Sequence, residues 1–266
     1  MSFSLLDQVA LVFGAGSSGP GWGNGKAAAV AYARAGARVV CVDLNQAAAE
    51  ETAGIIGGEG MPAIAIRGDV SSEADVSAAV SKTVSHFGKI DILHNNTGIT
   101  LFGSPVEQPI EEWERAMDVN VKSVFLACRH VLPHMVAQGH GVITNISSIA
   151  SIRIAGYDMA SYYTSKAAVN QLTRAVALQY ADKGIRSNAI LPGLMNTPLI
   201  QGNEGMKGHH GDLEKQLAER DAMSPTGKMG DAWDVAHAAV FLASPEAKYI
   251  NGVLLPVDGG LSCRAR

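Results

Sequence analysis

At 266 residues, with 47% hydrophobic and 17% charged side chains, the chain has the composition of a globular protein able to bury a substantial core, which excludes a disordered segment. A net charge of -4, an isoelectric point of about 6.0 and the lack of a long basic run argue against a nucleic-acid partner. Cys41, Cys128 and Cys263 are too scattered for a disulfide or metal framework, the first residues carry no basic leader, and no apolar run approaches the roughly 18 residues of a membrane span. A reduced, cytoplasmic protein with no membrane partner is expected.

In chain order, short apolar runs alternate with longer helical ones. Residues 9–13, 38–42, 63–66, 90–93, 141–146, 186–191 and 253–257 read as buried strands. Residues 26–34, 46–56, 74–86, 111–138, 160–183 and 231–242 have helical composition, with Ser or Asp at starts and Gly36, Gly88, Gly139 and Gly184 at ends. The βα alternation, without a linker or repeat, predicts an α/β protein: a single-domain, doubly wound Rossmann fold whose seven-stranded parallel sheet has helices on both faces. Only residues 197–231 break the pattern. That stretch carries Gly202, Gly205, Gly208 and Gly211 beside Leu199, Ile200, Met206, Leu213, Leu217 and Met223, and is expected to be a substrate lid.

The first strand runs into a loop containing Gly14, Gly16, Gly19, Gly21, Gly23 and Gly25, and a helix follows at once. Such a turn lets a backbone approach a pyrophosphate at a helix N-terminus, and Gly14, Ser17, Asn24 and Gly25 are assigned to it. The second strand ends at Asp43-Leu44, where an acid can accept from a ribose 2′-OH and repel a 2′-phosphate, favouring NAD over NADP. Tyr162 and Lys166 are i and i+4 on a predicted helix, so a cation one turn away would favour the phenolate and make Tyr162 a proton donor and acceptor.

With Asp69-Val70, Asn95-Asn96-Thr97-Gly98, Asn120, Ser148, Tyr162-xxx-Lys166 and Pro192-Gly193 also in order, residues 5 to 262 resemble the short-chain dehydrogenase/reductase family. The resemblance implies an NAD-dependent oxidoreductase interconverting a secondary alcohol and a ketone. It assigns Asn120, Ser148, Tyr162 and Lys166 as a catalytic tetrad, with Ser148 holding the substrate oxygen and Asn120 supporting a proton path. It places Asp69 and Val70 at the adenine, Asn96 and Gly98 at the adenosine ribose, and Pro192, Gly193, Met195 and Thr197 beside the nicotinamide. A homotetramer, closed in part by Val257-Asp258-Gly259-Gly260, is implied as well. Ser147 and Tyr163 are expected to be structural.

Two departures accompany the resemblance. Phe13 stands where the family commonly has threonine, and five extra residues lengthen the glycine loop. The Thr97 hydroxyl is expected to replace the missing threonine in tying the loop to the Asn95–Gly98 segment. A longer loop also occurs in the related enoyl reductases, but those place six residues between tyrosine and lysine where this chain has three. A catalytically silent dinucleotide sensor is the alternative from another class, disfavoured by the complete tetrad.

For the substrate, Ser148, Arg153, Met159 and Tyr162 are the candidates, Arg153 as a guanidinium that could take a carboxylate or phosphate. Ile99, Leu101, Ile149, Ile154 and Met195 suggest otherwise apolar walls. No metal site is assigned, because His130 and His134 lack a third ligand and His209-His210 with Asp212 read as surface.

Overall fold

The seven apolar runs form one parallel sheet in a computed structural model that describes residues 3–154, 156–201 and 213–264. Its strands are β1 (Val9–Phe13), β2 (Arg38–Asp43), β3 (Ala63–Arg67), β4 (Ile92–Asn95), β5 (Gly141–Ile146), β6 (Ile185–Pro192) and β7 (Leu254–Val257). Spatial order is β3-β2-β1-β4-β5-β6-β7, so the winding direction reverses between β1 and β4. A crevice opens past the carboxyl ends of the strands at such a point, and ligands of open α/β sheets bind there.

Helices cover both faces. On one lie α1 (Asn24–Arg34) and the late helix Ala232–Ala243, which buries Val235, Ala236 and Ala239. Ala27, Ala28, Ala29 and Ala33 of α1 are fully buried, since their small side chains let the helix lie close to the sheet. Helix α2 (Gln46–Gly58) joins this side through Ala49 and Ile56. On the other face α3 (Glu73–Phe87), α5 (Ser123–Gln138) and α6 (Ala160–Gln179) enclose Leu11, Val40, Leu93 and Ile143.

Three elements differ from the sequence expectation, one being the expected helix 160–183, which ends at Gln179 and is followed by a separate 3-10 turn, Ala181–Lys183. The expected helix 111–138 is α4 (Ile110–Met117) and α5 joined by a π-turn, Asp118–Lys122, in which the Ser123 amide donates to Asp118 O. The fourth strand begins two residues late, at Ile92, although the Asp91 backbone already bonds to both neighbours, Asp91 N donating to Val9 O at 3.0 Å and Asp91 O accepting from Val142 N at 2.9 Å; its carboxylate, 3% exposed, accepts from Val9 N at 2.7 Å and meets His140 and Lys89. In the expected lid, α7 (Pro198–Gln201) and α8 (Leu213–Met223) precede α9, the helix Ala232–Ala243. Gly202, Gly205, Met206, Gly208, His209, His210, Gly211 and Asp212 lie outside the described residues. Among the described residues no helix is long and apolar enough to cross a membrane.

Candidate active site

The glycine loop is shaped by what a side chain would strike. Gly14 has φ 74°, and a Cβ on Gly16 would lie 2.6 Å from Ala48 Cβ and 2.9 Å from Asp43 Oδ2. A Cβ on Gly25 would collide with Gly14 O. Helix α1 opens on this hollow with Gly23 as its N-cap, no capping side chain and no acid in its first turn, leaving amide hydrogens for an anion. Asn24 Oδ1 is buried without a partner among the described residues. The chain thus offers a glycine-lined, uncapped helix end with donors to spare, which fits a dinucleotide pyrophosphate.

The extra loop residues pack away from that seat. Trp22 stacks at 4.8 Å on Trp233 of α9, and Lys26, itself buried, reaches Gly21 O and forms a 2.6 Å ion pair with Glu51. Asp43 accepts from Gly16 N at 2.9 Å and from Asn45 N at 3.0 Å, while Asn45 caps α2. Asp43 is therefore not the cap of the helix that follows it, and its carboxylate faces the cleft with lone pairs remaining.

One expected contact is corrected. Thr97 Oγ1 is buried against Gly14 but has no hydrogen-bond partner among the described residues. The glycine loop is tied instead by Asn96, whose Nδ2 donates to Gly14 O at 3.0 Å.

Helix α6 delivers Tyr162 and Lys166 to the same cleft. The Tyr162 hydroxyl faces the hydroxyls of Ser148 and Thr100, which also line this cleft. Lys166, 3% exposed, donates to Ile146 O at 2.9 Å and lies over the Tyr162 ring, 5.8 Å from its centre. The balance of charge is accordingly not the one expected. Burial holds the Tyr162 phenol above its ordinary value, with the neighbouring Ser148 and Thr100 hydroxyls pulling it back, and burial also pushes the Lys166 ammonium down to about 8.

Asn120 sits behind this pair, fully buried at the centre of the π-turn. Its Oδ1 accepts from Ile99 N at 2.8 Å, and its Nδ2 donates to Ile99 O and Ser165 Oγ at 3.0 Å each. Gly98 lies between Asn120 and Lys166, where a Cβ would stand 2.9 Å from Lys166 Nζ. Ser147 donates to Lys166 O and Tyr163 to Tyr157 O, consistent with structural roles.

A cleft of about 480 Å³ unites Gly14, Ser17, Asn24, Asp43, Leu44, Asn96, Gly98, Ser148, Tyr162, Lys166, Pro192, Gly193, Met195 and Thr197. A larger hollow of about 590 Å³ around Asp91, His140 and Arg186 lies at the opposite strand ends, away from the tyrosine. Gly25, Asp69, Val70, Asn120, Arg153 and Met159 do not line the cleft. The Asp69 carboxylate turns back onto Ser71 N and Oγ, and Met159 is buried at the start of α6. Arg153 leaves the cleft altogether, its Nη1 donating to Leu261 O and Ser262 O. Of the proposed walls only Met195 is in place, joined by Leu199 and Ile200 from the expected lid and by Thr100, Ile146 and Arg220, which the sequence reading did not assign to the site. The hydrophobic periodicity of Leu213–Met223 held no cue to a buried arginine.

A Rossmann sheet with this crevice, glycine loop and tyrosine–lysine pair defines a nicotinamide-dinucleotide oxidoreductase acting on CH–OH groups. A family model described as enoyl-(acyl carrier protein) reductase matches residues 20–262. The chain is 42% identical over 258 residues to 2-(R)-hydroxypropyl-CoM dehydrogenase of Xanthobacter autotrophicus, covering 96% of this chain and 98% of that one. It superposes with a TM-score of 0.94 on a short-chain dehydrogenase/reductase of Burkholderia xenovorans, 40% identical, over 99% and 100% of the two chains. A gluconate 5-dehydrogenase of Beutenbergia cavernae, with NADP bound at low occupancy, matches with a TM-score of 0.88 and 32% identity over 99% and 100%. The chain belongs to the short-chain dehydrogenase/reductase family.

Proposed function

We propose that this enzyme interconverts a secondary alcohol and its ketone with NAD preferred over NADP, and that Asn120, Ser148, Tyr162 and Lys166 carry the chemistry. The observation that carries the reading is the Tyr162 side chain, brought together with Ser148 and Lys166 in the cleft that also holds the glycine loop and Asp43. The bound nicotinamide supplies or accepts the hydride. Tyr162 passes a proton to or from the substrate oxygen, and Ser148 Oγ holds that oxygen as charge develops. Burial keeps the free phenol protonated, the state required to donate to a ketone; in oxidation Lys166 supplies the positive field that offsets the lost proton.

Asp43 supports the preference for NAD, because a carboxylate at that strand end accepts a ribose hydroxyl and repels a phosphate. Enoyl reduction, named in the description of the family model, is not adopted, since Tyr162 and Lys166 stand one helical turn apart. Residues 197–231 are assigned as the lid, with Leu199, Ile200 and Arg220 reaching the cleft. A homotetramer is proposed on the exposure of Phe125 on α5 and Leu178 on α6, 48% and 81% exposed, and a cytoplasmic setting on three unpaired cysteines.

The test is the reduction of NAD and NADP by a panel of secondary alcohols, in the wild type and in Tyr162→Phe. NAD should outperform NADP, and the variant should lose about a thousandfold or more in kcat while binding NADH within a few-fold of wild type. A variant with near-native turnover would remove Tyr162 from the mechanism.

A further inference from the structure

Three charged side chains line the cleft among the described residues: Asp43, Lys166 and Arg220. Two are accounted for, since Asp43 answers backbone amides at the adenosine end and Lys166 is held by Ile146 O beside Tyr162. Arg220, on α8, is not. It is 3% exposed, yet among the described residues no carboxylate lies within ion-pair distance of its guanidinium. Its Nε donates only to the weak acceptor Met229 Sδ, at 3.4 Å, and the Tyr157 hydroxyl is its other polar neighbour.

Tyr157 fixes the side of the cleft to which Arg220 belongs. It lies in the segment between Ser148 and Tyr162, and its carbonyl accepts from the hydroxyl of Tyr163, the neighbour of Tyr162. The guanidinium therefore lies toward the reacting end of the cleft and not at the glycine loop. Gln216 stands one turn earlier on the same helical face, fully buried, with neither amide atom partnered among the described residues. A desolvated cation beside an unsatisfied amide is a poor element of a finished core, because buried charges call for a counter-charge. A ligand carrying an anion would complete it.

We propose that Arg220 receives an anionic group of the substrate, a carboxylate, so that the enzyme acts on hydroxy acids in preference to neutral alcohols. The inference rests on the alcohol–ketone reading and names its substrate class. A planar guanidinium matches a carboxylate with two parallel hydrogen bonds, which an ester of the same shape cannot return with charge. The role foreseen for Arg153 falls to Arg220, since Arg153 is spent on the carbonyls of Leu261 and Ser262.

The experiment compares secondary hydroxy carboxylates, with the carboxylate two to four carbons from the carbinol, with their methyl esters, in wild type, Arg220→Met and Arg220→Lys. The best acid should exceed its ester at least about tenfold in kcat/KM, and Arg220→Met should bring that ratio down to about one, chiefly through KM. Arg220→Lys, which keeps a cation and guards against a folding defect in the methionine variant, should retain part of the preference. Calorimetric titration of acid and ester into NAD-loaded Tyr162→Phe reads the same ratio without turnover. An absence of alcohol oxidation would defeat the alcohol–ketone reading, while the calorimetric ratio still decides the role of Arg220. The proposal is overturned if esters bind and react as well as acids, or if Arg220→Met lowers both alike. It is equally overturned if the variant weakens NAD binding with the ratio unchanged, which would assign the guanidinium to the cofactor phosphates.

Discussion

Asp43 does two things with one carboxylate. It accepts from Gly16 N and Asn45 N, holding the glycine loop against the start of α2, and it lines the cleft. Asp43→Ser removes the charge while keeping a short hydroxyl, so repulsion of a 2′-phosphate disappears. The ratio of kcat/KM for NAD over NADP should fall by about a hundredfold, roughly 3 kcal/mol of discrimination. An unchanged ratio in steady-state assays would assign Asp43 to the loop alone. At this scale the sequence is informative about proximity and silent about balance. Helical spacing places Lys166 one turn from Tyr162, but the protonation of each depends on burial, which the packing of β5, the Asn95–Gly98 segment and α6 decides. Thr97 and Arg153 show the same limit, because a residue's neighbourhood was legible and the partner its side chain takes was not.

Among the elements, the strands are legible because parallel strands covered on both faces read as unbroken apolar runs. The π-turn is not. One added residue in a turn leaves composition and apolar spacing nearly intact, so residues 111–138 read as one helix while the chain widens at Asp118–Lys122. That widening seats Asn120 against Ile99 and Ser165. Asn120→Ala would leave Ile99 N and O, in a half-buried position, without their side-chain partner. Urea denaturation should show a loss of about 1–3 kcal/mol, with Asn120→Asp recovering the bond to Ile99 N only. A loss below about 0.5 kcal/mol, ordinary for a surface position, would mean that water satisfies those groups.

Across the whole molecule, the sheet separates two cores, and the one beneath α1 and α9 contains a titratable group. His94 on β4 and Tyr32 on α1 are fully buried, with the Tyr32 hydroxyl 3.0 Å from His94 Nδ1. Burial pushes His94 down to about 3 from its ordinary 6.5 and raises Tyr32, so both are neutral in the folded protein. The unfolded chain takes up a proton at His94 below pH 6.5, whereas the native state does not do so until about pH 3. The contribution is thus fully present above pH 6.5 and is lost as the pH falls toward 3. Between pH 7 and 5 this one site should cost the native state about 2 kcal/mol. Other acids and histidines titrate over the same range, so the quantity to measure is the difference between wild type and His94→Asn, from urea melts at each pH. Wild type should be the more stable at pH 7, and its advantage should shrink by that amount at pH 5. A pH-independent difference would mean that His94 gains its proton in the native state as readily as in the unfolded one, through solvent reaching the α1 face of the sheet.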